Sequence, residues 1–89
     1  MSSVPVLMYS TPGCPYCRMA ESLLRSKGVT PEQIRVDRDS QQRQVMTTRS
    51  HGRHTVPQIF IGEQHVGGYD DLAALDKKGL LDGLLRGKG

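Results

Sequence analysis

Val4-Pro5-Val6-Leu7-Met8-Tyr9-Ser10-Thr11-Pro12-Gly13-Cys14-Pro15-Tyr16-Cys17 carries the reading that decides the fold. Residues 4 to 9 are a nearly continuous apolar run, as expected of a strand buried on both faces of a sheet. Pro5 is tolerable near the start of such a strand. Ser10 to Gly13 break the run as a turn. Beyond it, Tyr16, Met19, Ala20, Leu23 and Leu24 recur at i, i+3, i+4, i+7 and i+8. That spacing predicts an amphipathic helix, with Pro15 in its first turn and Gly28 as its stop. Both cysteines of the chain, Cys14 and Cys17, sit where the strand hands over to the helix, the placement of a redox site.

Cysteines three apart on a helix face the same side, so their sulfurs can bridge with little backbone movement. As a staple such a bridge does little: closing so small a loop removes only about 2 kcal/mol of unfolded-chain entropy, against roughly 4.7 for a hundred-residue loop. The first turn of the helix, with its unsatisfied N–H groups and positive dipole end, favours a thiolate over a thiol. Cys14, nearest that end, reads as the nucleophile, and Cys17, further in and more easily covered, as the resolving thiol. Zinc is the main rival. A structural zinc site wants four ligands, and His51, His54 and His65 show no paired spacing that would complete one.

With 89 residues the chain is read as one domain, 1–89, large enough for a single core. One Phe, three Tyr and no Trp leave that core mainly aliphatic. No apolar run approaches the roughly 20 residues of a membrane span, and Met1 to Pro5 lack the pattern of a signal peptide. The expected compartment is therefore the reducing cytoplasm, where a lone cysteine pair is catalytic or metal-binding more often than structural. The formal net charge of +3 is spread among acids rather than gathered in a run, which argues against a nucleic-acid surface and for a solvated one. Small anionic ligands remain compatible with it.

Further along, Ile34 to Val36 predict a short second strand. Asp39 or Ser40 can cap a polar helix containing Val45 and Met46 and ending near Gly52. Gln58 to Ile61 predict a third strand after Pro57, and Gly62-Glu63 a tight turn into Gln64 to Val66, so these two strands pair as a hairpin. Asp70 or Asp71 can cap a helix carrying Leu72 and Leu75, with Lys77 and Lys78 in its last turn before Gly79. Leu80 to Leu85 form a final short helix. The order is β-α-β-α-β-β-α-α. Because a helix separates each of the first three strands, these are expected to be parallel, the hairpin adding an antiparallel edge.

Three further features bear on chemistry. Val56-Pro57 alone marks a strand start; a cis bond there would turn the Val56 N–H and C=O outward toward a peptide-like substrate laid alongside as an extra strand. Gly67-Gly68-Tyr69-Asp70-Asp71 reads as a hairpin exit with a helix cap. It also reads as a bare backbone with a carboxylate and helix-start N–H groups able to hold an amino acid's ammonium and carboxylate. Tyr16, beside a reactive thiol, reads as an exposed platform.

With C-P-Y-C at 14 to 17, T-V-P at Thr55 to Pro57 and G-G-Y-D-D at Gly67 to Asp71, the chain resembles the dithiol glutaredoxins, especially the short bacterial type, over nearly its whole length. The resemblance implies a thioredoxin fold, an α/β architecture with a four-stranded mixed sheet flanked by helices. It also implies a cis peptide before Pro57, and reduction of protein disulfides and glutathione mixed disulfides at the expense of glutathione. Cys14 would hold the glutathionyl mixed disulfide and Cys17 resolve it for protein disulfides. Tyr16, Thr55, Val56, Pro57, Gly68, Tyr69, Asp70 and Asp71 would form the glutathione site, Val56 pairing with the backbone of its cysteine and Gly68, Asp70 and Asp71 meeting its γ-glutamyl end. Arg43 on the second helix matches the contact to the glycine carboxylate. Glutathione is then the co-substrate, no metal is expected, the partners are glutathionylated or disulfide-containing proteins, and the protein is a monomer.

The chain departs from the family pattern in two places. Arg49 to His54 carry one residue more than the R-S-G-R stretch of many members. Thr11 stands where many have a lysine, so Arg43, Arg49 or Arg53 must supply the lost cation. Two other functions are weighed: an iron-sulfur carrier ligating a cluster through Cys14 and glutathione, and a thioredoxin-like electron donor. Pro15 and the second thiol oppose the first; Gly67 to Asp71 and the lack of a Trp before the cysteines oppose the second.

Overall fold

The computed structural model describes residues 4–87. Its elements are β1 (Val6–Ser10), α1 (Pro15–Ser26), β2 (Glu32–Arg35), α2 (Ser40–Arg49), β3 (Gln58–Ile61), β4 (Gln64–Gly67), α3 (Tyr69–Lys77) and α4 (Leu81–Leu85). This is the thioredoxin fold, in the expected order. β1 begins two residues later than the apolar run suggests, since the Val4 N–H donates to Leu85 O at 3.1 Å beside α4. β2 lies slightly upstream of the predicted strand, and the Val36 N–H beyond it still donates to Ser10 O.

The sheet runs β2-β1-β3-β4. β1 and β2 are parallel, but β3 is antiparallel to β1, which corrects the expectation of three parallel strands. A helix between two strands makes them parallel only where the segment after the helix does not itself cross back along the sheet. Residues 50–57 turn back along α2, where Arg43 Nη1 donates to His54 O at 3.3 Å. The chain is thereby returned to the cysteine end of the sheet before β3 starts, and Gln58 pairs with Tyr9 near the end of β1.

Strand alternation divides the core between the two faces of the sheet. Val6, Met8, Ile59 and Ile61 face Ala20 and Leu24 of α1, Leu72 of α3 and Leu81 of α4. Each Val, Leu, Ile or Met side chain among them contributes about 1.5–3 kcal/mol by leaving water. On the other face Tyr9 and Phe60 pack with Val36 and Met46, the two rings meeting edge to face at 5.8 Å. α2 commits only Met46 to the interior, while Val45 is exposed. Asp39, one of the two residues expected to cap α2, does so by accepting from the Gln41 and Gln42 N–H groups. Among the described residues no helix is long and apolar enough to cross a membrane.

Candidate active site

The turn after β1 places Cys14 at the N-cap of α1, where its Sγ accepts a hydrogen bond from the Cys17 N–H at 3.2 Å. One of the orphan donors of the helix start is thus directed at sulfur, and this hydrogen bond and the positive end of the helix dipole both stabilise negative charge there. Pro15, at the first helical position, has no N–H to lose. Cys17 is buried among the α1-face core residues while Cys14 is half-buried, and both are free thiols. Burial above all, with the hydrogen bond to and negative charge on Cys14 adding to it, pushes the Cys17 thiol up to about 12; a backbone hydrogen bond from Thr11 acts the other way. The two cysteines line a groove of about 310 Å³ together with Arg18, Glu21 and Gln33.

On the other side of the motif lies a cleft of about 370 Å³. It gathers Tyr16, Thr55, Val56, Pro57, Gly68, Tyr69, Asp70 and Asp71 from three separated stretches of chain, together with Arg53. The Val56–Pro57 peptide is cis. Tyr16, 56% exposed, stacks on Tyr69 at 6.2 Å between ring centroids and forms one wall. Gly68, rather than Asp70 or Asp71, is the N-cap of α3. The two aspartates fall in the first turn, because the Gly68 N–H turns toward the third helical residue and donates to Asp71 Oδ2 at 3.0 Å. With Asp71 so engaged, Asp70 has no ion-pair partner among the described residues. The cleft therefore offers a free carboxylate beside helix-start N–H groups, a pairing suited to a zwitterionic amino-acid end.

The three candidate arginines separate. Arg49 lies 4.2 Å above the Phe60 ring and donates to the Tyr9 hydroxyl at 3.3 Å, on the α2 side of the sheet. Arg43 lines a different groove, with Gln44 and His54. Arg53 alone of the three lines the cleft, with Nη1 3.3 Å from Asp71 Oδ2. It is thus the one of the three arginines named for the lost cation that is placed beside Thr55 and Val56. Gly67 permits this arrangement: its φ is +116°, and a Cβ there would collide with the Asp71 carboxylate and the Arg53 guanidinium.

Gln58, which the sequence suggests only as the start of a strand, also bears on the cleft. It is fully buried, and its amide donates to Thr55 O at 3.0 Å and Thr55 Oγ1 at 3.2 Å, with His65 Nε2 at 2.7 Å on its carbonyl end. Its signal was a polar residue opening an otherwise apolar strand. Among the described residues no group of three or more His, Cys, Asp or Glu is placed to hold a metal ion.

The Glutaredoxin family model matches residues 6–66. Glutaredoxin 3 of Escherichia coli strain K12 is 52% identical over 81 residues, covering 91% of this chain and 96% of that one. The solution structure of glutaredoxin from Brucella melitensis superposes with a TM-score of 0.83 at 49% identity, over 97% of this chain and 92% of that one. A buckwheat glutaredoxin–glutathione complex, 28% identical, also reaches 0.83, covering 97% of this chain and 80% of that one.

Proposed function

Because the chain belongs to the glutaredoxin family, and with it is a glutathione-dependent thiol-disulfide oxidoreductase acting through a pair of cysteines, we propose how its residues divide that work. The whole chain, 1–89, acts as one glutaredoxin domain. Cys14 is the nucleophile and Cys17 the resolving thiol. The observation that carries this is the Cys17 N–H on Cys14 Sγ at the N-cap of α1, beside the cleft and with the Cys17 thiol buried behind it.

With a glutathionylated protein, Cys14 thiolate attacks the glutathione sulfur. The substrate thiolate leaves, and a Cys14–glutathione disulfide remains. A glutathione thiolate then attacks that glutathionyl sulfur, releasing oxidised glutathione and restoring Cys14 thiolate. With a protein disulfide, Cys14 takes one substrate sulfur and frees the other. The Cys17 sulfur then attacks Cys14 Sγ, its proton passing to the departing substrate thiolate, and the Cys14–Cys17 disulfide forms. Two glutathione molecules reduce it, supplying two electrons and leaving as oxidised glutathione.

Glutathione is placed in the cleft as the co-substrate. The Val56 N–H and C=O pair with its cysteine backbone, Thr55 and Pro57 frame that contact, and Tyr16 and Tyr69 flank it. Gly68, Asp70 and Asp71 hold the γ-glutamyl end, Asp70 facing the ammonium and the helix-start N–H groups the carboxylate. That glutathione occupies a relative of such close structural likeness supports this placement. A cation for the glycine carboxylate comes from Arg43 or Arg53. The partners are glutathione and glutathionylated or disulfide-bearing proteins, the protein works as a monomer, and its compartment is the cytoplasm.

A coupled assay of glutathione mixed-disulfide reduction, run beside a thioredoxin reductase control, tests the reading. Turnover is expected with glutathione and glutathione reductase. Turnover with thioredoxin reductase in place of glutathione would overturn the use of glutathione as the electron donor.

A further inference from the structure

Glutamine seldom goes fully inside, and Gln58, the first residue of β3, shows no exposure at all. The orientation of its amide follows from its neighbours. Thr55 O can only accept, so the atom facing it is the amide nitrogen, and the oxygen is left facing His65. Oε1 can only accept as well, so His65 Nε2 carries a proton. The result is a directed chain, His65 Nε2–H to Gln58 Oε1 and Gln58 Nε2–H to Thr55 O and Oγ1. It runs from β4 to the residue immediately before Val56.

That residue needs an anchor, because Thr55 and Val56 lie outside any helix or strand. Among the described residues the other side-chain hydrogen bonds to carbonyls of residues 50–57 act earlier in the loop: Arg43 on His54 O at 3.3 Å and Ser50 Oγ on Arg53 O at 3.1 Å. His65 can serve as the base of the chain because β4 pairs it with Phe60, whose ring centroid is 5.0 Å from its own.

We propose that Gln58 is a positioning residue that orients the Thr55–Val56 backbone to receive glutathione, and that His65 holds the Gln58 amide in that orientation. The proposal rests on the placement of glutathione against Val56. A buried glutamine that merely satisfies its own hydrogen bonds would change stability when replaced, and leave both substrate affinity and loop order alone.

The test measures two quantities in the whole protein: KM for a glutathionylated small disulfide and the ¹⁵N order parameters of the Thr55 and Val56 amides. Gln58→Leu is expected to raise KM about three- to tenfold, as loss of one or two anchoring hydrogen bonds implies. It should lower both order parameters and leave the iodoacetamide alkylation rate of Cys14 unchanged. His65→Phe should shift both quantities in the same direction by less. His65→Gln should restore them, because its amide nitrogen lies as many bonds from Cα as Nε2 and donates the same proton. That pair decides the matter if Gln58→Leu does not fold. Unchanged order parameters overturn the proposal. Lowered order parameters with unchanged KM also overturn it, and locate the failure in the assignment of Val56 to glutathione rather than in the hold that Gln58 exerts.

Discussion

The backbone N–H of Cys17 donates to Cys14 Sγ at 3.2 Å, while the Cys17 side chain lies buried behind it. A single residue thus supports its partner's sulfur and keeps its own thiol protonated, pushed up to about 12 chiefly by burial. Two cysteines three positions apart are chemically unlike because one caps the helix and the other lies under it.

Alkylation should expose this difference. With its thiol at about 12, Cys17 is ionised in only about one molecule in 10⁵ at pH 7. Iodoacetamide on the reduced protein at that pH should therefore label Cys14 first and alone, and mass spectrometry of the peptide containing both reads the result. Equal labelling of the two would contradict the asymmetry.

Cys14→Ser should abolish disulfide reductase activity of every kind. Cys17→Ser should keep turnover of small glutathione mixed disulfides, since the donor to Cys14 Sγ is a backbone N–H that serine retains and glutathione itself resolves the intermediate. Reduction of protein disulfides should fall in the second variant. Equal loss of mixed-disulfide activity in both variants would show that the roles are not divided in this way.

The difference between what the sequence made legible and what it did not is one of range. The α1 spacing from Tyr16 to Leu24, the hairpin at Gly62-Glu63 and the Asp39 cap depend on neighbours within a turn or two, and each is found where the sequence places it. The direction of β3 depends on where residues 50–57 lie, and nothing in their composition states that they fold back along α2. The same return decides which arginine reaches the cleft. The family resemblance points to Arg43 on α2, and the loop brings Arg53 to the cleft instead. Gln58 was missed because a polar residue at a strand start looks exposed until β4 and the Thr55 loop close over it.

Gly67→Ala should damage both fold and site. A φ of +116° is strained for alanine, and the added methyl would displace the Asp71 carboxylate and the Arg53 guanidinium together. A loss of about 1–3 kcal/mol is expected from the backbone alone, read as a lower urea midpoint, with a raised KM for glutathione besides. A KM equal to wild type would mean that the Arg53–Asp71 pair is irrelevant to glutathione.

Arg53→Ala and Arg43→Ala address the cation that Thr11 does not supply. Arg53 lines the cleft and is about half exposed, so its loss should raise KM for glutathione a few-fold, corresponding to about 1 kcal/mol or less. Salt should narrow the gap between wild type and variant, because screening weakens an exposed contact. Arg43→Ala should have the smaller effect, its guanidinium being spent on His54 O in another groove. Titrating glutathione at two ionic strengths compares them; a larger, salt-sensitive effect at Arg43 would return the carboxylate contact to α2.

His65 should make stability depend on pH. Its folded pKa lies below the usual 6.5, first because burial disfavours the imidazolium and then because Arg53, His51 and Arg49 face it with positive charge, Asp71 opposing them only in part. Below 6.5 the unfolded chain takes up a proton that the fold resists, so stability is complete above that pH. It is lost as pH falls toward the folded value and levels off beneath it. Glu21 and Asp37, held below their ordinary ranges chiefly by hydrogen bonds from Arg25 and Arg35, lose their own contributions as pH falls, so the wild-type curve alone is ambiguous. His65→Gln removes the ambiguity, since its amide still donates to Gln58 Oε1 but cannot titrate. Urea midpoints at pH 7.5 and pH 5 should show a larger acid-side loss for wild type than for His65→Gln, and equal losses would mean that His65 is protonated as readily in the fold as outside it.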